Sequence, residues 1–125
     1  MKYALILAVF LPWTPIHAMI PLEMGFSELP TELQFVAICE SGGRPNAIGP
    51  YGEVGLLQIH PKYHAITSKK LGFNIYEPRG NMAYGFYLYK VNGLKDWSSS
   101  KSCWQKMLNN LQLALNFNGI SHPEG

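Results

Sequence analysis

The chain is poor in charge and lacks an apolar run long enough to cross a membrane. Only 14% of its 125 residues are charged, and Asp96 is the single aspartate. The apolar run over residues 4–13 is about half of the roughly 20 residues that a membrane-spanning helix needs. We therefore expect no stable membrane span in the mature chain, which is the part that remains after the N-terminal segment described below is removed.

Sequence signals for nucleic acid and for common cofactors are also missing. The formal net charge is only +2, and no basic stripe with interleaved aromatic residues accompanies the adjacent Lys69 and Lys70. There is no GxSxG elbow, no phosphate-binding loop and no dinucleotide-type glycine pattern. We predict neither a nucleic-acid partner nor a cofactor.

The first eighteen residues have the organisation of a secretory signal peptide. Lys2 precedes the apolar run, and a turn-prone segment follows that ends at the small residue Ala18. This pattern predicts cleavage near Ala18 and one globular domain over residues 19–125, because the length allows a single core. The mature protein is expected to be secreted or periplasmic.

Cysteine is scarce, and its two copies leave two interpretations open. Cys39 and Cys103 both lie in the predicted mature chain. In an oxidising compartment a pair of cysteines favours a disulfide, whereas two buried free thiols are the alternative.

A glutamate continues the apolar stripe of the first predicted helix. The segment SELPTELQFVAICESGG has helix-start signals around Ser27 to Thr31 and a glycine stop at Gly42 and Gly43. Leu33, Val36 and Ala37 fall at positions i, i+3 and i+4, and Glu40 is at i+7. A core-facing carboxylic acid at a helix C-terminus would have a raised pKa. The alternative is a glutamate that turns to solvent.

The rest of the chain predicts a mainly α domain. Residues 44–61 are rich in Gly, Pro and Asn and predict a turn-rich or hairpin excursion. A helix should begin between Pro78 and Asn81 and end at Asn92. A last amphipathic helix should end at Asn118 and Gly119, with its apolar face formed by Trp104, Met107, Leu108, Leu111 and Leu115.

The residues around Glu40 are compatible with three kinds of chemistry to different degrees. Thiol catalysis would use Cys39 with one of the histidines at positions 60, 64 and 122, and a zinc site would use His60 and His64. Pairing of the cysteines disfavours the first, and the intervening Pro61 with no third ligand disfavours the second. A desolvated carboxylic acid beside polar Gln58 suits protonation of a glycosidic oxygen.

The span from Glu40 to Pro61 resembles the signature of lysozyme-like lytic transglycosylases, the soluble-transglycosylase (SLT) catalytic domain. The ES pair, the PNA segment over residues 45–47, a glycine-bounded loop and the GLLQI run over residues 55–59 occur in the family's order, with Gln58 eighteen residues after the glutamate. The resemblance implies a small lysozyme-like α fold. It also implies cleavage of the peptidoglycan bond between N-acetylmuramic acid and N-acetylglucosamine without a metal or cofactor.

Carried over by position, the resemblance makes Glu40 the single catalytic acid and base. The substrate-binding candidates are Ser41, Gln58, His60, Asn81 and Tyr84. The protein is expected to act on glycan strands as a monomer.

The chain departs from the family pattern at several positions. Gly49 stands where the family usually has serine, and His60 stands where it often has methionine. The late ALNFNG segment has Phe117 where the family's motif has tyrosine. The segment WSSSKSCW instead resembles the ending of short lysozyme-like relatives, which implies a Cys39–Cys103 disulfide.

Two alternative functions stay open. They are a hydrolytic muramidase in which Glu53 positions water, and a catalytically weak wall-binding protein.

Overall fold

A computed structural model describes residues 14–120. The described part contains four α-helices and no strand, which confirms the predicted mainly α class. The helices are α1 (Thr31–Ser41), α2 (Pro61–Leu71), α3 (Pro78–Asn92) and α4 (Lys101–Ile120), and three short 3₁₀ segments cover Ile16–Met19, Phe26–Glu28 and Lys95–Ser100.

The first thirteen residues of the predicted signal peptide lie outside the described residues, so that segment stays a prediction. Ala18 and Met19, on either side of the predicted cleavage point, are exposed. The first buried residue of the described chain is Ile20, which joins the core. No helix in the described part is long and apolar enough to span a membrane.

Helix α1 forms as its sequence pattern predicts. It follows Pro30 and carries Glu32 in its first turn, where the helix dipole favours an acid. It ends because Gly42 adopts the left-handed conformation at φ 66° and caps the last carbonyls. The apolar residues Leu33, Val36 and Ala37 are fully buried. The half-buried Glu40 therefore extends a stripe that faces the core.

The predicted turn-rich excursion is an irregular loop between α1 and α2. Two isolated antiparallel bridges pair Val54 with Ile48 and with Ile59. The loop is fastened to α3 by Asn81, whose amide accepts a hydrogen bond from Leu57 and donates to the carbonyls of Val54 and Ile75. A buried polar side chain with three such bonds fixes the loop without leaving an unsatisfied group.

Helix α2 was not predicted. Pro61, which counted against a zinc site at His60 and His64, occupies the first turn of this helix, where proline needs no amide partner. His60 is consequently the residue that precedes the helix, and His64 lies one turn inside it.

Helix α4 begins as predicted and continues past the predicted stop at Asn118 and Gly119, to Ile120. Its apolar face is only partly used. Trp104 is buried, whereas Leu115 is 55% exposed and Phe117 is 77% exposed. The ALNFNG segment therefore lies on the exposed second half of this helix.

The turn between α3 and α4 is held by two tryptophans. The Trp97 indole donates to the carbonyl of Leu57 at 2.8 Å, and the Trp104 indole donates to the carbonyl of Trp97 at 3.0 Å. The backbone of Trp97 departs from helical geometry (φ −115°, ψ 28°). This kink and its indole anchor place the following serines beside the end of α1.

Candidate active site

Glu40 lies at the C-terminal end of α1, half-buried, with one carboxylate oxygen engaged by the protein. The Ser100 hydroxyl donates to its Oε2 at 2.6 Å. Burial raises the pKa of Glu40; the Ser100 hydrogen bond opposes the shift, the nearby Glu53 charge adds to it, and His60 lowers it. Because the raised pKa favours the protonated form, Glu40 can serve as a general acid closer to neutral pH than an ordinary glutamate.

Glu53 is a second carboxylate, on the loop between α1 and α2, and its charge acts on Glu40. Its side chain is 15% exposed and lies 3.7 Å from the imidazole of His60. Hydrogen bonds from its own backbone amide and from that of Tyr51 lower the pKa of Glu53, and His60 contributes in the same direction. The site therefore pairs an acid with a raised pKa and an acid with a lowered pKa, an arrangement that separates a proton donor from an anion.

Gln58 is held in an unusual backbone conformation at the same loop. Its φ of 49° makes it the one non-glycine residue of positive φ in the described chain. Its amide donates to the carbonyls of Ala47 and Gly55. A left-handed non-glycine residue costs on the order of 1–3 kcal/mol and persists where the surroundings enforce it, commonly at functional sites.

The glycine at position 49 has a local packing reason. A Cβ atom there would lie 2.5 Å from Gln58 Oε1 and 2.7 Å from Glu53 Oε1. The side chains of Gln58 and Glu53 thus fill the space that the family's serine would need.

Gly49→Ser is expected to lower the free energy of unfolding by about 1–3 kcal/mol, because overpacking forces both side chains from their hydrogen bonds. Urea denaturation of the variant measures this. In a Gly49→Ser and Gln58→Ala double variant, removing the amide should make the combined loss smaller than the sum of the single losses. A Gly49→Ser protein with the wild-type urea midpoint would refute the packing argument.

Three predicted substrate-binding residues are buried. Ser41 is 1% exposed and donates to the carbonyl of Ala37. Asn81 is fully buried in the loop clamp. Tyr84 is 1% exposed and bonded to His64 Nδ1 at 2.9 Å, and burial raises its pKa to about 12. Each of these three side chains is thus engaged by the protein itself, and its contact with sugar stays a prediction.

The other two predicted contacts, Gln58 and His60, are accessible. The side chain of His60 is 37% exposed, and Gln58 is partly exposed. Gln58 lies within the loop between α1 and α2, and His60 ends that loop. The charge of His60 acts on Glu40.

The cysteines form a disulfide that joins α1 to α4, as the resemblance implied. The Cα atoms of Cys39 and Cys103 are 5.9 Å apart, and neither cysteine is free. The alternative of thiol catalysis by Cys39 is therefore wrong. Among the described residues no group of three or more metal-ligating side chains is found.

Sequence reasoning missed Ser100 as a partner of Glu40. Ser100 is the last of three consecutive serines, residues 98–100, which predicted only the start of a helix. The signal that could have found it is the disulfide itself, because pairing Cys103 with Cys39 brings the residues just before Cys103 close to the residue just after Cys39.

A family model described as the transglycosylase SLT domain matches residues 22–95, more than half of the chain. The matched range contains Glu40, Glu53 and Gln58 and ends before Ser100 and Cys103. Comparisons with curated proteins and with solved structures give no match.

Proposed function

Because the chain belongs to the transglycosylase SLT domain family, we propose that it is a peptidoglycan lytic transglycosylase. It cleaves the β-1,4 bond between N-acetylmuramic acid and N-acetylglucosamine. The observation that carries the proposal is Glu40, a half-buried acid with a raised pKa at the end of α1 beside an accessible polar loop. Family membership supplies the substrate class, and this acid supplies the chemistry.

In the first step Glu40 acts as the acid. Its proton passes to the glycosidic oxygen while the bond from that oxygen to C1 of muramic acid breaks, and the bonding electrons stay with the departing sugar. Positive charge develops at C1, and Glu40 becomes a carboxylate. Burial favours the neutral starting state, and the Ser100 hydroxyl stabilises the anion that results.

In the second step the same carboxylate acts as the base. The C6 hydroxyl oxygen of muramic acid bonds to C1 while its proton passes to Glu40, which closes a 1,6-anhydro ring and regenerates the acid. The attacking hydroxyl belongs to the reacting sugar, so it gains the rate advantage of proximity over a water molecule. One carboxylic acid is sufficient for both steps.

Gln58 and His60 are the proposed sugar contacts. Gln58 has an amide oxygen turned toward Gly49 and a backbone held in a strained conformation. His60 presents an imidazole beside Glu53 at the loop end. Asn81 holds the loop next to Gln58 by accepting a hydrogen bond from the backbone of Leu57. Ser41 hydrogen-bonds within α1, and Tyr84 hydrogen-bonds His64 of α2.

Hydrolysis is the second candidate, and Glu53 is the observation that favours it. Its lowered pKa keeps it ionised, and its charge acts on Glu40. An anion near the scissile bond could orient a water molecule for attack at C1, as the second carboxylate of an inverting glycosidase does. In that case the product would carry a reducing end in place of the anhydro ring.

Mass spectrometry of muropeptides released from purified sacculi tests the proposal. A transglycosylase yields 1,6-anhydromuramic ends, which are lighter by one water than reducing ends. Glu53→Gln is the matched variant: we expect it to leave the anhydro product dominant. Reducing ends that disappear in Glu53→Gln would overturn the transglycosylase in favour of the hydrolase.

The disulfide fits an oxidising compartment, such as the periplasm or the extracellular space in which peptidoglycan is found. Export through the predicted signal peptide and a monomeric state accompany the proposal as predictions.

A further inference from the structure

The Ser100 hydroxyl distinguishes the two oxygens of Glu40. It lies 2.6 Å from Oε2, and within the described chain no other hydrogen bond engages this carboxyl group. The hydroxyl has one proton and two acceptors within reach, Glu40 Oε2 and the carbonyl of Trp97 at 3.2 Å. The shorter contact and the charge of an ionised carboxylate both favour Glu40.

We propose that Ser100 is the positioning residue of the catalytic acid: by occupying Oε2 it leaves Oε1 as the oxygen that exchanges the proton with substrate. This rests on the proposed role of Glu40. An oxygen that already accepts a hydrogen bond from Ser100 is a poor place for the acid proton, so the neutral acid carries it on Oε1. The same oxygen then receives the proton of the C6 hydroxyl. One carboxyl rotamer thus serves both steps.

The position of Ser100 is fixed by one anchor on each side of it in the sequence. Trp97, three residues earlier, is anchored through its indole to Leu57 in the GLLQI run. Cys103, three residues later, is bonded to Cys39, the residue before Glu40. The disulfide therefore lies beside the hydrogen-bonded pair, one residue before Glu40 and three residues after Ser100.

Ser100 lies beyond residues 22–95, so the family match does not cover this contact. The late tyrosine expected from the family pattern is absent, and Phe117 in its place is 77% exposed on α4. A hydroxyl on Glu40 is supplied here by the serine run before Cys103.

The test uses Ser100→Ala, Ser100→Thr and Ser99→Ala, assayed for release of muropeptides from sacculi as a function of pH. Ser99 is the matched control because it is an exposed serine in the same turn. Ser100→Ala should lower the maximal rate about tenfold, which corresponds to the loss of one hydrogen bond to a charged group. Its alkaline limb should move to higher pH, because the bond that lowers the pKa of Glu40 is gone.

Ser100→Thr retains the hydroxyl and should keep the wild-type pH profile, and Ser99→Ala should keep both rate and profile. The other charged groups that act on Glu40, Glu53 and His60, are unchanged in all three variants. A general loss of stability would lower the rate without moving the limb.

Carboxyl-carbon NMR titration of Glu40, assigned with Glu40→Gln, gives a readout that does not depend on activity. A titration midpoint in Ser100→Ala equal to that of wild type would overturn the inference. If Glu40→Gln is as active as wild type, the proposed function fails instead. An inactive Glu40→Gln with an unshifted Ser100→Ala refutes only the role of Ser100.

Discussion

Glu40→Gln is expected to lower the rate of muropeptide release by about 10²–10⁴-fold, the usual contribution of general acid and base catalysis. The amide keeps the size of the side chain but has no proton to give to the glycosidic oxygen and accepts none from the C6 hydroxyl. Because the half-buried carboxyl has a raised pKa, replacing it with a neutral group should not weaken the fold. Release of soluble muropeptides from purified sacculi measures the effect.

Glu77→Gln is the matched control, since Glu77 is exposed and lies at the start of α3, in a different part of the fold. It should retain wild-type activity. Equal activity of Glu40→Gln and wild type would show that Glu40 is not the acid. Failure of both wild type and Glu40→Gln to release fragments, with intact binding to sacculi, would favour the wall-binding alternative.

Replacing Cys39 and Cys103 with serine is expected to lower the free energy of unfolding by about 4 kcal/mol. The disulfide closes a loop with a sequence separation of 64. In the chain-entropy model such a cross-link removes many conformations from the unfolded chain. For a small domain this is a large part of the total stability. Urea denaturation of the oxidised wild type and the double variant gives the difference.

Wild type treated with a phosphine reductant should unfold at the same urea concentration as the double variant, and the reductant should not shift the double variant. A reduced wild type with the midpoint of the oxidised protein would contradict the prediction. The reduced protein should also lose activity below the denaturation range, because α1 and the turn that carries Ser100 are no longer joined beside Glu40.

Local patterns predicted some elements well. The i, i+3, i+4 spacing predicted correctly that Leu33, Val36 and Ala37 are buried and that Glu40 lies on the same stripe. This prediction needs only the geometry of one helix, because residues at that spacing share a face. The predicted end of α1 at Gly42 is also correct, because glycine readily adopts the left-handed conformation that caps a helix. Helix α2 was missed because proline disrupts the interior of a helix but is favoured in its first turn. Which of the two applies to Pro61 depends on the conformation of the residues that follow it.

Contacts between residues distant in the sequence were harder to predict. Asn81 and Tyr84 were predicted from the family resemblance as substrate contacts, which the sequence pattern alone could place only by position. The structure shows that Asn81 hydrogen-bonds the loop at Leu57 and that Tyr84 hydrogen-bonds His64. The polar atoms of buried residues must find partners, and the identity of those partners depends on packing between segments distant in sequence.

By itself, the sequence determined a mainly α domain, the acid at the end of α1, and the transglycosylase resemblance, because each rests on residues close together in the chain. Only the tertiary structure decided the surroundings of that acid. Ser100 reaches Glu40 across 60 positions, and Gln58 and Glu53 fill the space beside Gly49. Such contacts follow from the folding of α4 and the loop against α1, which no local pattern encodes.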